Sequence, residues 1–318
     1  MSEPAPLVSI PEAPVPDNGT AEWFSGAGAV RLRAALFLPE GHPRGSVVLS
    51  GGRTEPIEKY FEVVRELQDR GFVVLIHDWR GQGLSHRLLP DPLKGHAHGF
   101  ADFVADYRAL LAHFETRLPK PWIAMGHSMG GCLTLLSLAH GVGDFSAAVL
   151  SAPMLGLQTG NRPKRASRAL AWIMGRVRPS EYILGNAGDP HGEAFEGNIV
   201  THDRARWTRN KAIYKADPRL CLNAGTWSWL NFAFSASAWL KRSPAVPRLD
   251  IPVLVIAAGE ERLVDTADQR EIVARLPQGR WMEIPGAYHE LLQETDDIRA
   301  AFWTEFDAVT AQAAPSSR

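Results

Sequence analysis

Cysteine is scarce: Cys132 and Cys221 are the only two in 318 residues. They stand far apart and match none of the paired spacings of zinc or dithiol sites, so cysteine-held metal and redox chemistry are excluded. A chain of this length buries enough surface to need no disulfide staple. A charge surplus is missing as well, with 34 Lys and Arg against 35 Asp and Glu. No apolar run approaches the ~20 residues that cross a bilayer as a helix. The opening Met1-Ser2-Glu3-Pro4-Ala5-Pro6 lacks the basic and then apolar order of a signal peptide, and a cytoplasmic location is expected. Gly26-Ala27-Gly28 follows no strand, which removes a phosphate-loop reading. No ligand cluster or internal repeat stands out, and neither cofactor nor metal is expected.

What is present is an ordinary globular composition, 45% hydrophobic and 22% charged, long enough for one large domain with an insertion or for two domains. The chain is organised around Gly126-His127-Ser128-Met129-Gly130. Trp122–Met125 before it is short and apolar, as in a buried strand, and Gly131–Ala139 after it is apolar at helical spacing. Strand, sharp turn and helix form a nucleophile elbow, with Ser128 at the tip of the turn. Gly126 and Gly130 are small because strand and helix pass close there.

Around the elbow, strand-like and helix-like stretches alternate. Strands are expected at 31–38, 46–50, 72–77 and 147–151, and amphipathic helices at 57–70 and 100–118. This pattern predicts an α/β fold, a mostly parallel sheet with helices on both faces. The alternation stops at Met154 and resumes with strands at 251–257 and 281–284 and a last helix from about Asp296 to Val309. The expected organisation is a flexible N-terminal arm at 1–20, a core at 21–153 and 249–310, a helical cap at 154–248 and a flexible tail at 311–318. The cap would lie over the carboxyl edge of the sheet, where ligands bind in such folds. It holds five of the ten tryptophans, and Trp172, Trp207, Trp227 and Trp229 are candidate walls of an acyl pocket. Between Leu155 and Ala245 fourteen Lys and Arg face six Asp and Glu, so a basic insert rides on an acidic body.

A serine hydroxyl needs a base, and the base needs a third group to orient it. In this architecture the order along the chain is serine, acid, histidine. Of eleven histidines, His289 alone follows the late strands. His77, His96 and His98 read as structural, and His127 points the wrong way to serve its neighbour. For the acid, Glu260, Glu261 and Asp265 all follow the strand ending at Ala257. Glu261 is favoured, with Asp265 second because it stands where a helix cap belongs. The oxyanion formed in acyl transfer needs two backbone donors. One is expected from Met129, the other from the loop Gly51-Gly52-Arg53.

These segments resemble the α/β-hydrolase branch that holds monoacylglycerol lipases and bacterial lysophospholipases, the serine aminopeptidase-like hydrolases. The likeness rests on Gly52-Arg53-Thr54-Glu55, Asp78–Leu89, Gly126–Gly131, Thr201-His202-Asp203, Glu260–Asp265 and Gly286–Glu290, and spans about Arg31 to Val309. It implies Ser128 as nucleophile, Glu261 as acid, His289 as base and the Arg53 N–H as second oxyanion donor. Relatives often carry His-Gly where this chain has Gly51-Gly52, and Asp where it has Glu261. The implied substrate is a single-chain lipid ester, a lysophospholipid or a monoacylglycerol. Competing readings are a general carboxylesterase, an aminopeptidase or amidase, and a non-catalytic binding protein. A basic cap opposes the aminopeptidase, whose substrate ammonium needs carboxylates. Arg162–Arg168 carries four cations ahead of apolar Leu170, Trp172, Ile173 and Met174, which suits peripheral contact with an anionic membrane face. No element for reading nucleic acid is present.

Overall fold

The computed structural model describes residues 3–183 and 194–313. Residues 314–318 of the expected tail, 184–193 of the expected cap, and Met1 and Ser2 lie outside the described residues. The strands are β1 Glu3–Pro4, β2 Gly19–Ser25, β3 Arg31–Phe37, β4 Gly45–Ser50, β5 Phe72–His77, β6 Trp122–His127, β7 Phe145–Ser151, β8 Val253–Ala258 and β9 Gly279–Ile284. The helices are α1 Phe61–Asp69, α2 Ala101–Phe114, α3 Ser128–Ala139, α4 Lys164–Val177, α5 Arg204–Ala216, α6 Trp227–Arg242, α7 Thr266–Val273 and α8 Asp296–Ala313.

One nine-stranded sheet runs in the order β1-β2-β3-β5-β4-β6-β7-β8-β9. β4 to β9 pair in parallel, and β1, β2 and β3 add antiparallel partners at one edge. The central strands read as continuous apolar runs because both of their faces are covered. Val47 and Leu49 turn to α1 and α8, against Phe61, Val64, Phe302 and Phe306. Val48 turns to the opposite layer with Tyr107, Leu110, Leu133 and Leu136 of α2 and α3. This mostly parallel sheet with helices on both faces is the one that the alternation predicts.

Its topology locates the site. β4 lies between β5 and β6, so the chain leaves β4 to one side and returns on the other. A crevice opens at the carboxyl ends of such neighbours. Ser50 pairs with Gly126, which puts the loop after β4 beside the turn after β6.

Between β7 and β8 the chain forms α4, α5 and α6. α6 is not detached from the body. Phe232 meets Phe103 with ring centroids 5.3 Å apart, and Ala233, Ala236 and Leu240 join the core layer of α2 and α3.

The N-terminal segment departs from the expected loose arm. Glu3 and Pro4 pair with β2, Ala5 N–H donates to Ala21, and Ala13 is buried. The reason is ionic. Arg33 is fully buried, with its guanidinium 2.8 Å from Glu58 and 2.7 Å from Asp78, both also fully buried. The same guanidinium donates to the Pro6 carbonyl, and Glu58 accepts the Val8 N–H. These contacts tie down a segment whose Pro- and Ala-rich composition has no period. Asp78 also accepts from Ile57 N–H, which opens the expected helix at 57 as a 3₁₀ turn before α1.

Replacing Arg33 by Met should strand two buried carboxylates. Removing one partner from such a buried group costs about 3–5 kcal/mol. Urea unfolding of Arg33→Met should show a loss of that order. A loss below about 1 kcal/mol, the level of an exposed pair, would mean that the cluster is solvated in solution.

Candidate active site

Ser128 sits between β6 and α3 with φ of +50°, a left-handed conformation that a serine rarely adopts. The turn is possible because its flanks lack side chains. A Cβ on Gly130 would overlap the carbonyl oxygens of Ser50 and Gly51, and one on Gly126 would come within 2.8 Å of the Gly131 Cα. The strain points the hydroxyl out of the sheet at the first turn of α3, the positive end of that helix.

His289 follows β9 on a loop and faces this hydroxyl. Its Nε2 is 2.8 Å from Ser128 Oγ, and its Nδ1 is 2.7 Å from Glu261 Oε2. With Nδ1–H donating to the carboxylate, Nε2 is left to accept from the serine. The other Glu261 oxygen accepts the backbone N–H groups of Leu263 and Val264. Burial alone would raise the Glu261 pKa, but the His289 hydrogen bond and charge and these backbone donors bring it below the usual range. Burial would likewise lower His289, and the hydrogen bond and charge of Glu261, joined by Glu290 and Glu55, turn the net shift upward. Such a pair stabilises an imidazolium formed when the ring takes a proton from the serine.

Asp265 is elsewhere. It caps α7 by accepting the Asp268 N–H and pairs with Lys164 at 2.5 Å. Glu260 is exposed and its N–H donates to the Ala287 carbonyl. His127 turns away from Ser128, with Nδ1 3.3 Å from Ser151 Oγ and its pKa pushed down to about 4 by burial.

Comparison with known proteins identifies the family. The model of the family "Serine aminopeptidase, S33" matches residues 41–296. The chain belongs to this family. Within it the chain falls in the branch of monoacylglycerol lipases and lysophospholipases. Lysophospholipase L2 of Escherichia coli K12 is 33% identical over 288 residues, covering 87% of this chain and 83% of its own. The monoacylglycerol lipase of Mycolicibacterium smegmatis is 29% identical, covering 86% and 91%. Among solved structures, a soluble variant of the monoglyceride lipase of Saccharomyces cerevisiae superposes with a TM-score of 0.74 at 18% identity, over 92% of this chain and 95% of that one. This S33 protein is an esterase-type hydrolase.

For this hydrolase two site expectations need correction. Gly52 is not a free oxyanion donor: its N–H donates to the Glu55 carboxylate, which folds back under the loop. Its contribution is steric, since a Cβ there would lie 3.1 Å from the Ser128 Cβ. The tryptophans also divide. Trp229 reaches the elbow, with Nε1 3.5 Å from Met129 Sδ and the Arg53 guanidinium 5.4 Å from its ring. Trp227 is buried on α6, where its carbonyl backs onto Gly175 of α4. Trp207 packs edge-on against Phe195 at 5.8 Å. Trp172 is 52% exposed, with its ring under the Arg176 guanidinium, and belongs to the outer surface rather than to a pocket wall.

Sequence reasoning missed the polar residues behind the histidine loop. Glu294, fully buried, accepts from the N–H groups of Tyr288 and His202 and bonds His202 Nδ1. The His202 ring stacks on Tyr288 at 3.8 Å, and Val200 accepts the Glu290 N–H. Thr201-His202 thus stitches the insertion to the loop on both sides of His289. Lys59 lies buried between Glu55 and Glu290. Glu55 lies in the loop after β4 and Lys59 in the turn that follows, where charged residues are usually solvated, so neither gave a sign of burial.

Proposed function

We propose that this hydrolase cleaves the carboxylic ester of single-chain lipids, lysophospholipid or monoacylglycerol, through an acyl-enzyme on Ser128. The reading is carried by the hydrogen-bonded chain Ser128–His289–Glu261. Ser128 Oγ attacks the carbonyl carbon while His289 Nε2 takes its proton. The oxyanion is held by the N–H groups of Met129 and Arg53. Collapse breaks the bond to the glycerol oxygen, which leaves with the proton from His289. Water then adds to the acyl carbon, giving its proton to His289, and fatty acid is released as Ser128 is restored. The names of the relatives support the substrate class, and the basic insertion favours a phosphate-bearing leaving group or an anionic surface.

The outer face of α4 supports a peripheral contact with membrane. Leu170, Ile173 and Val177 are 40%, 49% and 69% exposed, and Arg165, Arg168 and Arg176 flank them. Among the described residues no helix is long and apolar enough to cross a bilayer. An apolar stripe beside cations is the pattern of a helix lying on an anionic surface.

The test compares lysophosphatidyl lipids, monoacylglycerols and short p-nitrophenyl esters. Each buried methylene contributes about 0.8 kcal/mol. The ratio kcat/KM should therefore climb with acyl length and be greatest for the long single-chain lipids. A flat dependence, with short esters preferred, would replace this reading by a general carboxylesterase.

A further inference from the structure

Three acidic residues on different elements favour the charged form of His289: Glu261 after β8, hydrogen-bonded to its ring, Glu290, its neighbour in the loop, and Glu55 after β4. Only one buried cation stands among them in the described residues. Lys59 Nζ lies 2.9 Å from Glu55 Oε1 and 2.7 Å from Glu290 Oε1, and its side chain is 6% exposed. Glu55 also accepts from Tyr60 OH at 2.5 Å and from the Gly52 N–H. His127 adds its ring 4.9 Å from that of His289, with Nε2 3.6 Å from Glu55. Burial keeps His127 neutral near pH 7, so it offsets none of this charge. Tyr214 of α5 donates to the Thr54 carbonyl next to Glu55, while Glu294 and His202 hold the outer side of the loop.

The catalytic scheme leaves Lys59 and Glu290 unused, and a charged pair buried beside a base is not neutral to it. Carboxylates close to an imidazole favour its protonated form, and an ammonium close by opposes them. In a site from which water is largely excluded these interactions are stronger than at the surface. A base that stays protonated near neutral pH cannot take the serine proton.

We propose that Lys59 is a positioning residue whose ammonium offsets Glu55 and Glu290 and thereby keeps His289 unprotonated, and so competent as a base, near neutral pH. Its two salt bridges also join the loop before α1 to the histidine loop, and the charge role is separable from that tie. Burial works against the Glu55 carboxylate, yet Lys59 holds its pKa well below the usual carboxylate range. Glu290, buried beside Glu55, is pushed up despite Lys59. The inference rests on His289 acting as the base for Ser128.

The experiment follows kcat/KM for a p-nitrophenyl ester over roughly pH 5 to 10, with the rate of fluorophosphonate labelling as a second readout. In Lys59→Met the acid limb should move up by about one pH unit, roughly a tenfold loss below the limb with a small change on the alkaline plateau. Lys59→Met/Glu290→Gln removes one charge of each sign and should return the limb toward its wild-type position, although the tie between the loops is gone. Lys59→Arg should leave the limb in place. A pH-independent loss in Lys59→Met, or a double variant with the full upward shift, would overturn the charge role. Should Lys59→Met not fold, Glu290→Gln alone decides: its limb should move to lower pH, and a limb that stays put refutes the proposal. Wild-type protein that neither hydrolyses ester nor takes the probe would instead refute the serine hydrolase reading beneath it.

Discussion

Ser128→Ala should abolish both ester hydrolysis and fluorophosphonate labelling. Loss of a serine nucleophile that acts in concert with its base lowers kcat by about 10⁵–10⁶-fold. Alanine keeps the Cβ, so the packing against Gly52 and the left-handed turn at φ +50° persist. The hydroxyl removed has His289 as its hydrogen-bond partner. The fold should therefore survive, as checked by the urea midpoint, while the chemistry disappears. Retention of more than about one hundredth of the activity would mean that another group attacks the ester.

Glu261→Gln carries the second large effect. The amide can still touch His289 Nδ1, but it brings no negative charge to stabilise the imidazolium. In a serine triad this change lowers kcat by about 10⁴-fold. The pH profile gives a second signature. Glu261 is the largest influence raising His289 against burial, so its neutralisation lowers the imidazole pKa. The rate rises as the imidazole loses its proton, hence the residual activity should have its acid limb at lower pH than wild type. This is opposite in sign to the shift expected for Lys59→Met. Asp265→Asn is the control. It weakens an ion pair with a half-exposed Lys164, an interaction worth about 0–1 kcal/mol, and should change kcat by no more than a few-fold. A reversed result, with Asp265→Asn inactive and Glu261→Gln near wild type, would exchange the two acids.

The likeness to lysophospholipases and monoacylglycerol lipases bears on the choice of substrate more than on the mechanism. The hydrogen bonds of Ser128, His289 and Glu261 suit any activated acyl group. What distinguishes a lipid is where its chain and head group rest. Trp229 beside Met129 supplies apolar surface next to the elbow, and Arg53 beside it supplies a cation. Trp172 is instead part of the exposed face of α4.

The legible features were those whose cause is local. β4 to β8 announce themselves because burial on both faces demands unbroken apolar runs. The elbow does so because a strained turn between strand and helix requires small residues at Gly126 and Gly130. His289 follows from chain order, since it comes after the last strand. Asp265 was readable as a helix cap, which is a matter of three residues.

Other features depend on partners distant in the chain. Glu261 and Asp265 have the same charge and nearly the same place in the sequence. Only the path of the loop after β8 turns one toward His289 and the other toward Lys164. The N-terminal segment is ordered by Arg33, Glu58 and Asp78, whose mutual approach leaves no trace in the Pro- and Ala-rich composition of residues 1–20. Gly52 lost its expected role because Glu55, three residues on, takes its N–H.

By itself, then, the sequence determined the α/β sheet, the elbow at Ser128 and the place of His289 after the last strand, because period, turn sterics and chain order are properties of neighbouring residues. The tertiary structure decided between Glu261, which the sequence favoured, and Asp265 as the hydrogen-bond partner of His289, and it alone showed which tryptophan meets the elbow and that Lys59 lies buried between Glu55 and Glu290. Those outcomes follow from long-range hydrogen bonds and from charges excluded from water, and both come into being only when distant segments pack together.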